Sequence, residues 1–229
     1  VICCFFLQKN RLHHDVPAMN IRFSSLQNRE LLSDLKTIAC ALRLLFGLGL
    51  GILVLFLIFW WDAGRLYPFA EVGPTEICQT LLLLASTAIF FSEARLCPDM
   101  RRALTLVGGL TGCMLIREQD YFLDMISHGC WKWPALTLAF VCLAFAASNL
   151  RDAAAGLARL IRWRHFPLLL AGLVIVLAYS RLFGTSMLWK TLLPDGDWRA
   201  AKNAMEESSE LLGYALISTS ALLLRFGKK

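Results

Sequence analysis

A polar stripe follows one of the short apolar runs of this sequence. Its members are three or four residues apart, so they share one face if a single helix carries them all. The stripe consists of Arg117, Asp120, Tyr121, Asp124 and His128. A carboxylate next to an imidazole can transfer protons or bind a metal ion, and such a face is therefore a candidate chemical site.

A second polar stripe precedes the last apolar run, with its members four residues apart. It consists of Lys202, Glu206, Glu210 and Tyr214. If both stripes lie at the same depth, they would meet, with Glu118, Glu76 and Arg181 as possible neighbours. The predicted polar cluster contains eight side chains: Arg117, Glu118, Asp120, Asp124, His128, Glu206, Glu210 and Tyr214.

Three functions are compatible with this cluster. Ion pairs between helix ends would give a structural or accessory bundle with an acidic cluster in the outer leaflet, which is the interpretation we favour. Carboxylates within the membrane could instead couple a small transporter to protons or cations. An intramembrane lipid-modifying enzyme or hydrolase is the third alternative, and whether the chain is an enzyme stays open.

The same residues predict neither a metal nor a cofactor. One histidine near the cluster is few for zinc, which prefers several His or Cys ligands. None of the eight cysteines forms a C-x-x-C pair. No motif in the sequence identifies a named family.

The elements that position these residues are apolar runs. Apolar residues make up 57% of the chain, against about 45–50% in soluble domains. They occur in continuous blocks, and a block of about 20 residues crosses a bilayer core. We predict an all-α, polytopic membrane protein, a bundle of six transmembrane helices. The six runs lie at residues 41–61, 76–91, 103–116, 133–148, 166–183 and 211–224.

The third run is short. Its 14 residues span about 21 Å as a helix, less than the roughly 30 Å hydrocarbon core. We therefore predict that this helix continues without a break to about Asp124, and that its polar face turns toward the start of the sixth helix.

The lysines and arginines are distributed unevenly between the two sides of the membrane on which the connecting segments alternately fall. Sixteen of the 23 lysines and arginines fall on one side and seven on the other. Because cytoplasmic loops carry the excess of Lys and Arg, both termini are predicted to be cytoplasmic. Short loops and no recognisable signal peptide favour the inner (plasma) membrane of a bacterium. The basic residues form no stripe, so a nucleic-acid partner is not expected.

The chain is predicted to have two parts, a cytoplasmic tail over residues 1–37, with an interfacial helix as an alternative, and a six-helix domain over residues 38–229. Residues 1–18 are not expected to be the native start, since Met19 opens a more conventional one.

Pairs of small residues predict close helix packing. The spacing of four occurs at Gly47 and Gly51, at Gly108 and Gly112, and at Ser209 and Gly213. The expected partners are membrane lipids and either a helix–helix oligomer or a larger membrane complex.

Overall fold

The computed structural model of the protein describes residues 16–64, 73–194 and 196–227, and every regular element within these ranges is helical. The all-α prediction is confirmed. The chain divides into two units, Val1–Leu50 and Gly51–Lys229. Residues 1–15, and with them much of the tail that we predicted to precede the native start, lie outside the described residues.

The first helix, α1, is Val16–Ala63. The described part of the predicted tail is thus continuous with the first apolar run. The stretch Asp34–Ala63 has 30 residues, about 45 Å of helix, and exceeds the bilayer core. Large apolar side chains along it are exposed, such as Phe46 and Trp61. Such a helix face suits lipid rather than water.

Nine further α-helices follow among the described residues of the second unit, with a 3₁₀ turn at Pro98–Met100 and a π-helical turn at Ile175–Tyr179. They are α2 (Pro74–Leu96), α3 (Arg101–Glu118), α4 (Asp120–Asp124), α5 (Lys132–Ala147), α6 (Leu150–Arg162), α7 (Phe166–Val174), α8 (Ser180–Phe183), α9 (Ser186–Leu192) and α10 (Trp198–Phe226). Their starts follow from local chemistry. Proline occupies the first position of α2, where its missing N–H costs nothing. The Asp197 side chain caps α10 by accepting a hydrogen bond from the Ala200 N–H.

Side-chain contacts show that α2 and α10 run parallel. Gln79 near the start of α2 contacts Glu207 near the start of α10. Ser86 and Ser218 share a hydrogen bond of 2.8 Å half-way along. Toward the end of both helices, Arg225 donates to the buried carboxylate of Glu93 at 3.1 Å. The two helices are therefore held together from Gln79 to Glu93 of α2 and from Glu207 to Arg225 of α10.

The other long helices of the second unit alternate in direction. Thr80 and Thr87 of α2 contact Gln119 and Thr111, so α3 is antiparallel to α2. The Cys113 thiol of α3 donates to the Ala135 carbonyl of α5, while Gly109 packs on Cys142, so α5 reverses again. The α7–α8 segment is antiparallel to α10, because Gly172 packs on Gly213 whereas Arg181, later in the segment, pairs with Glu206, earlier in α10.

The core of this unit lies between α2, α3, α7 and α10. Leu83, Phe90, Leu104, Ile217 and Tyr214 are fully buried there. Outward-facing apolar side chains remain exposed on α5, as at Leu136 and Phe140. Buried polar groups inside and exposed apolar groups outside are the arrangement expected of helices in lipid.

Three helices are long and apolar enough to cross a membrane by length and composition among the described residues: Asp34–Ala63, Pro74–Leu96 and Phe166–Phe183. The bent pair Lys132–Ala147 and Leu150–Arg162 makes up to four if it counts as one span. The remaining two predicted spans correspond to α3 and α10. Both are helices, but ionisable residues such as Arg117 and Glu210 interrupt their apolar character.

The predicted unbroken extension of the third helix is wrong. Helix α3 ends at Glu118, and Gln119 adopts a non-helical conformation (φ −97°, ψ 17°) before α4 begins. The Gln119 side chain donates to the Thr80 hydroxyl of α2 at 2.8 Å, which holds this residue to the neighbouring helix. The first polar stripe is consequently divided between two helices.

Candidate functional site

Arg117 occupies the last turn of α3, where it faces α10. Its Nη2 atom lies 3.1 Å from both carboxylate oxygens of Glu210 and 2.7 Å from Glu118 Oε1. The Tyr214 hydroxyl, one turn after Glu210, donates to the same Glu118 oxygen at 2.8 Å. These four side chains form a chain of charge-assisted hydrogen bonds, from Glu210 through Arg117 and Glu118 to Tyr214, between the two helices.

Arg181 brings a second helix to α10. Its Nη1 atom lies 3.0 Å from Glu206 Oε1, and its Nη2 atom pairs with Glu210. The Ser180 hydroxyl also donates to Glu210, at 3.4 Å. Lys202 completes the group, with its ammonium 2.9 Å from Glu206 Oε2 one turn along α10. Glu210 is thereby held between arginines from α3 and α8.

Glu207 has a different environment from its neighbours on α10. Its Oε2 atom accepts a hydrogen bond of 3.0 Å from the amide of Gln79, and the same amide donates to the Glu207 carbonyl at 3.2 Å. Within the described residues, no Lys, Arg or His nitrogen lies within ion-pair distance of this carboxylate. Its direct partner is neutral.

We call these residues the ionic cluster: Arg117, Glu118, Arg181, Lys202, Glu206, Glu207, Glu210 and Tyr214. It contains four carboxylates and three cations, so its formal charge is −1 when all are ionised. The carboxylates lie deeper than the arginines. The Glu210 side chain is 4% exposed, against 32% for Arg117 and 44% for Arg181. Direct pairing is what offsets the desolvation of such buried acids.

The pKa of Glu207 is raised from 4.5 to about 7, first because burial disfavours its charged form and next because Glu210 repels it, while the Gln79 hydrogen bond opposes the rise. Glu207 lies four residues before the apolar run 211–224. Other carboxylates that act on it are Glu118 of α3 and Glu206 of α10. Arg117 and Arg181 engage Glu210 and so leave Glu207 without direct compensation.

This shift predicts that folded stability falls as the pH rises. The folded protein binds the Glu207 proton more tightly than the unfolded chain, so the stabilisation is complete below about pH 4.5 and disappears as pH rises through about 7. Because the side chain is only partly buried, we expect a decline of roughly 1–2 kcal/mol. Thermal unfolding of detergent-solubilised protein between pH 5 and 8, without alkali cations, measures it. Glu207→Gln should flatten that part of the profile, and an unchanged slope would show that another group causes it.

Three residues of the predicted cluster lie elsewhere. Asp120 and Asp124 belong to α4, and His128 follows it. The His128 Nδ1 atom lies 3.1 Å from Asp124 Oδ2, and Asp124 also accepts a hydrogen bond from the Gly129 N–H at 2.8 Å. Asp120 is exposed. Within the part of the chain that the structure describes, none of these three side chains forms a hydrogen bond or ion pair with Glu206 or Glu210. The helix break at Gln119 changes the direction of the chain before them.

The structure adds residues that the stripes did not contain. Gln79 and Ser180 are buried polar side chains on apolar helices, and both contact carboxylates of α10. Glu207 lies beside the stripe rather than on it. The sequence held one signal, the amide side chain of Gln79 within the predicted span 76–91, since a buried amide requires a partner within the bundle.

The arrangement does not resemble a metal centre. Among the residues that the structure describes, no group of three or more His, Cys, Asp or Glu side chains is placed to hold a metal ion. An apolar cavity of about 330 Å³ lies beside α10, and the charged side chains of the ionic cluster do not line it. Its lining is Ile52, Leu55, Phe56, Phe59, Ser208, Leu211 and Leu212.

Comparison with known proteins places this chain in no family. No family model matches the sequence, and no solved structure matches it. A stretch of 94 residues is 31% identical to engulfment and cell motility protein 3 of Mus musculus. This similarity covers 39% of the chain and 13% of the mouse protein, so the chain corresponds to only a small part of that relative.

Proposed function

We propose that this protein is an integral membrane bundle with a structural or accessory role, in which the ionic cluster fixes the positions of the helices. The observation that carries the proposal is the pairing itself. Glu118, Glu206 and Glu210 each lie within 3.1 Å of a cation. A site built for turnover leaves a reacting group accessible, whereas these three carboxylates are engaged with cations on α3, α8 and α10.

The proposed architecture keeps six spans, with α3 and α10 as the polar members. Support comes from the directions of the helices, since α2, α5 and α10 run one way and α3 and α7 the other. The exposed apolar faces of α1 and α5 support lipids as neighbours. A place in the inner (plasma) membrane of a bacterium, and assembly into a helix–helix oligomer or a larger complex, belong to the same proposal.

The bend between α5 and α6 fits this topology. The two helices meet at 103°, and α6 exposes Arg151 and Arg159 while burying Gly156 and Leu160. An amphipathic helix with arginines on its polar face suits the plane of an anionic membrane surface. In the proposed topology this surface is the cytoplasmic one.

Topology is tested with reporter fusions after residues 70 and 229. Because the excess of basic residues marks the cytoplasmic side, the fusion after residue 229 should report the cytoplasm and the fusion after residue 70 the opposite side. Both reporters on one side would contradict the six-span arrangement. A third fusion after residue 129 serves as the control and should agree with the one after residue 70.

The structural role is tested by complementing a deletion with Glu206→Gln and Glu210→Gln. If the cluster only positions helices, each variant should restore the wild-type phenotype in proportion to the folded protein that remains. Folded protein is measured as the monodisperse fraction after mild solubilisation. A variant that folds normally but fails to complement would contradict the structural role. Asp120→Asn, which alters an exposed carboxylate, is the matched control.

A small carrier coupled to protons or cations is the second candidate. It is favoured by Glu207, whose carboxylate meets a neutral amide in place of a cation. Carboxylates of this kind bind and release ions in many carriers. Reconstituted protein should then move protons or alkali cations across a vesicle membrane, and Glu207→Gln should abolish the flux. Wild-type vesicles as tight as protein-free ones would exclude this function.

A further inference from the structure

Gln79 has a buried oxygen without a partner. The side chain is 0% exposed, and its Nε2 atom donates to Glu207. The Oε1 atom of the same amide accepts no hydrogen bond among the described residues. A buried acceptor in this position normally has a partner, so this atom requires an explanation. It belongs to the same planar amide group that contacts Glu207, so it lies beside that carboxylate.

Thr75 presents a second buried oxygen of the same kind. It precedes Gln79 by four residues on α2, so the two side chains share one face of the helix. Thr75 is 1% exposed, and its Oγ1 atom has no partner among the described residues. Its backbone N–H donates to Asp62 Oδ2 at 3.2 Å, which holds the first turn of α2 in place. Two unsatisfied oxygens therefore follow one helix face toward Glu207.

The types of atom indicate the ligand. A hydroxyl, an amide oxygen and a carboxylate are all hard oxygen donors, which favour alkali and alkaline-earth cations over transition metals. The formal charge of the ionic cluster indicates the charge of the ligand. The ionic cluster has one carboxylate more than it has cations, and Glu207 is the carboxylate without an ion-pair partner. One positive charge balances the group, whereas a divalent ion would overcompensate it.

We propose that Thr75, Gln79 and Glu207 form a binding site for a small monovalent metal cation, for which Na⁺ is the probe. The ion would accept the carboxylate and the two unpartnered oxygens as ligands and neutralise the cluster. This inference goes beyond the structural role proposed above, and it stands whether or not the ion is moved across the membrane. A proton competes for the same carboxylate, so the ion binds when Glu207 is ionised.

The test is thermal unfolding of the full chain in detergent at pH 8.5, with NaCl replacing choline chloride at constant ionic strength. Binding to the folded state raises Tm in a saturable manner, by roughly 5–10 °C at a hundredfold excess over Kd. At pH 5.5 the same titration should give a much smaller rise. A Tm that depends on pH but not on Na⁺ at pH 8.5 would reduce the site to a proton-binding carboxyl and overturn the proposal.

Variants locate the ion. Glu207→Gln should abolish the Na⁺ response, and Thr75→Val, which removes one hydroxyl at nearly constant volume, should weaken it at least tenfold. Ser220→Ala is the matched control. The Ser220 hydroxyl is also buried and has no partner in the part of the chain that the structure describes, but it lies more than three turns along α10 from Glu207. Its response should equal that of the wild type. An undiminished response in Thr75→Val and Glu207→Gln would place the cation elsewhere. If Glu207→Gln does not fold, Thr75→Val and binding of ²²Na⁺ to the wild type decide the question.

Discussion

Replacing Arg117 by glutamine should lower the free energy of unfolding by about 3–5 kcal/mol, the range for removing one partner of a buried ion pair. Arg117 is the one cation within ion-pair distance of Glu118 among the described residues, and one of two that contact Glu210. Those carboxylate side chains are only 9% and 4% exposed, so solvent cannot replace the lost charge. Unfolding of the solubilised protein, followed by tryptophan fluorescence, measures the change.

Arg159→Gln is the matched control for this substitution. Arg159 also pairs with a carboxylate, Asp99, at 3.4 Å, but the two side chains are 52% and 81% exposed. A pair in water contributes at most about 1 kcal/mol. Similar losses in the two arginine variants would mean that burial does not strengthen the ionic cluster, and the structural role would lose its main support.

The double variant Arg117→Gln/Glu210→Gln separates two causes of the lost stability: the loss of the ion pair itself, and the buried carboxylate that the single variant leaves unpaired. If the carboxylate left behind causes most of the damage, the double variant should be more stable than the sum of the single effects predicts, by about 1 kcal/mol or more. Strict additivity would show that Arg117 and Glu210 do not interact energetically, despite the distance of 3.1 Å between them.

The positions of the helices could be predicted because apolar runs are a local property of the chain. The helix break at Gln119 could not. Gln119 is neither glycine nor proline, and its side chain is held by the hydrogen bond that it donates to Thr80, 39 residues away in the sequence. A periodic pattern of polar residues cannot reveal such a contact. The pattern therefore places Asp120 and Asp124 on the same helix face as Arg117, although the helix ends before them.

The second polar stripe was easier to predict because it lies on one continuous helix. Lys202, Glu206 and Glu210 follow the spacing of four that an α-helix requires, and α10 carries them all. The predicted cluster does not include Glu207, because the spacing of four selects residues on only one face of the helix. Helix α10 contacts α2, α3 and α8. A helix with neighbours on several sides has polar contacts on several of its faces.

The spacing of four between small residues predicted close helix packing correctly at some positions and not at others, for a similar reason. A Cβ atom at Gly112 would lie 2.7 Å from Leu138, and one at Gly213 would overlap the Val176 side chain, so both glycines are close-packed. A Cβ atom at Gly47 or Gly51 would have no atom of the described residues within 4 Å. The spacing permits close approach, but whether a neighbouring helix uses it depends on the rest of the fold.

Gly172→Ala should lower the free energy of unfolding by about 3 kcal/mol, the upper end for overpacking. A Cβ atom at this position would lie 2.8 Å from the Gly213 carbonyl oxygen and 3.1 Å from the Ile217 backbone nitrogen. These are backbone atoms of α10, which a rotamer change cannot move, so α7 must shift. Helix α8, which carries Arg181, continues from α7 through the π-helical turn Ile175–Tyr179, so the shift should also weaken the ion pair between Arg181 and Glu210. We expect Tm to fall by roughly 6–12 °C.

Gly51→Ala is the control for that substitution, since it adds the same methyl group at a position where the described part of the chain has no atom within 4 Å. Alanine favours the helix over glycine by about 1 kcal/mol, so this variant should equal or exceed the wild type in stability. The comparison separates helix propensity, which improves in both variants, from packing against α10, which suffers in one. If Gly172→Ala were as stable as Gly51→Ala, the contact between α7 and α10 would be looser than these distances require, and the position of Arg181 beside Glu210 would need another cause.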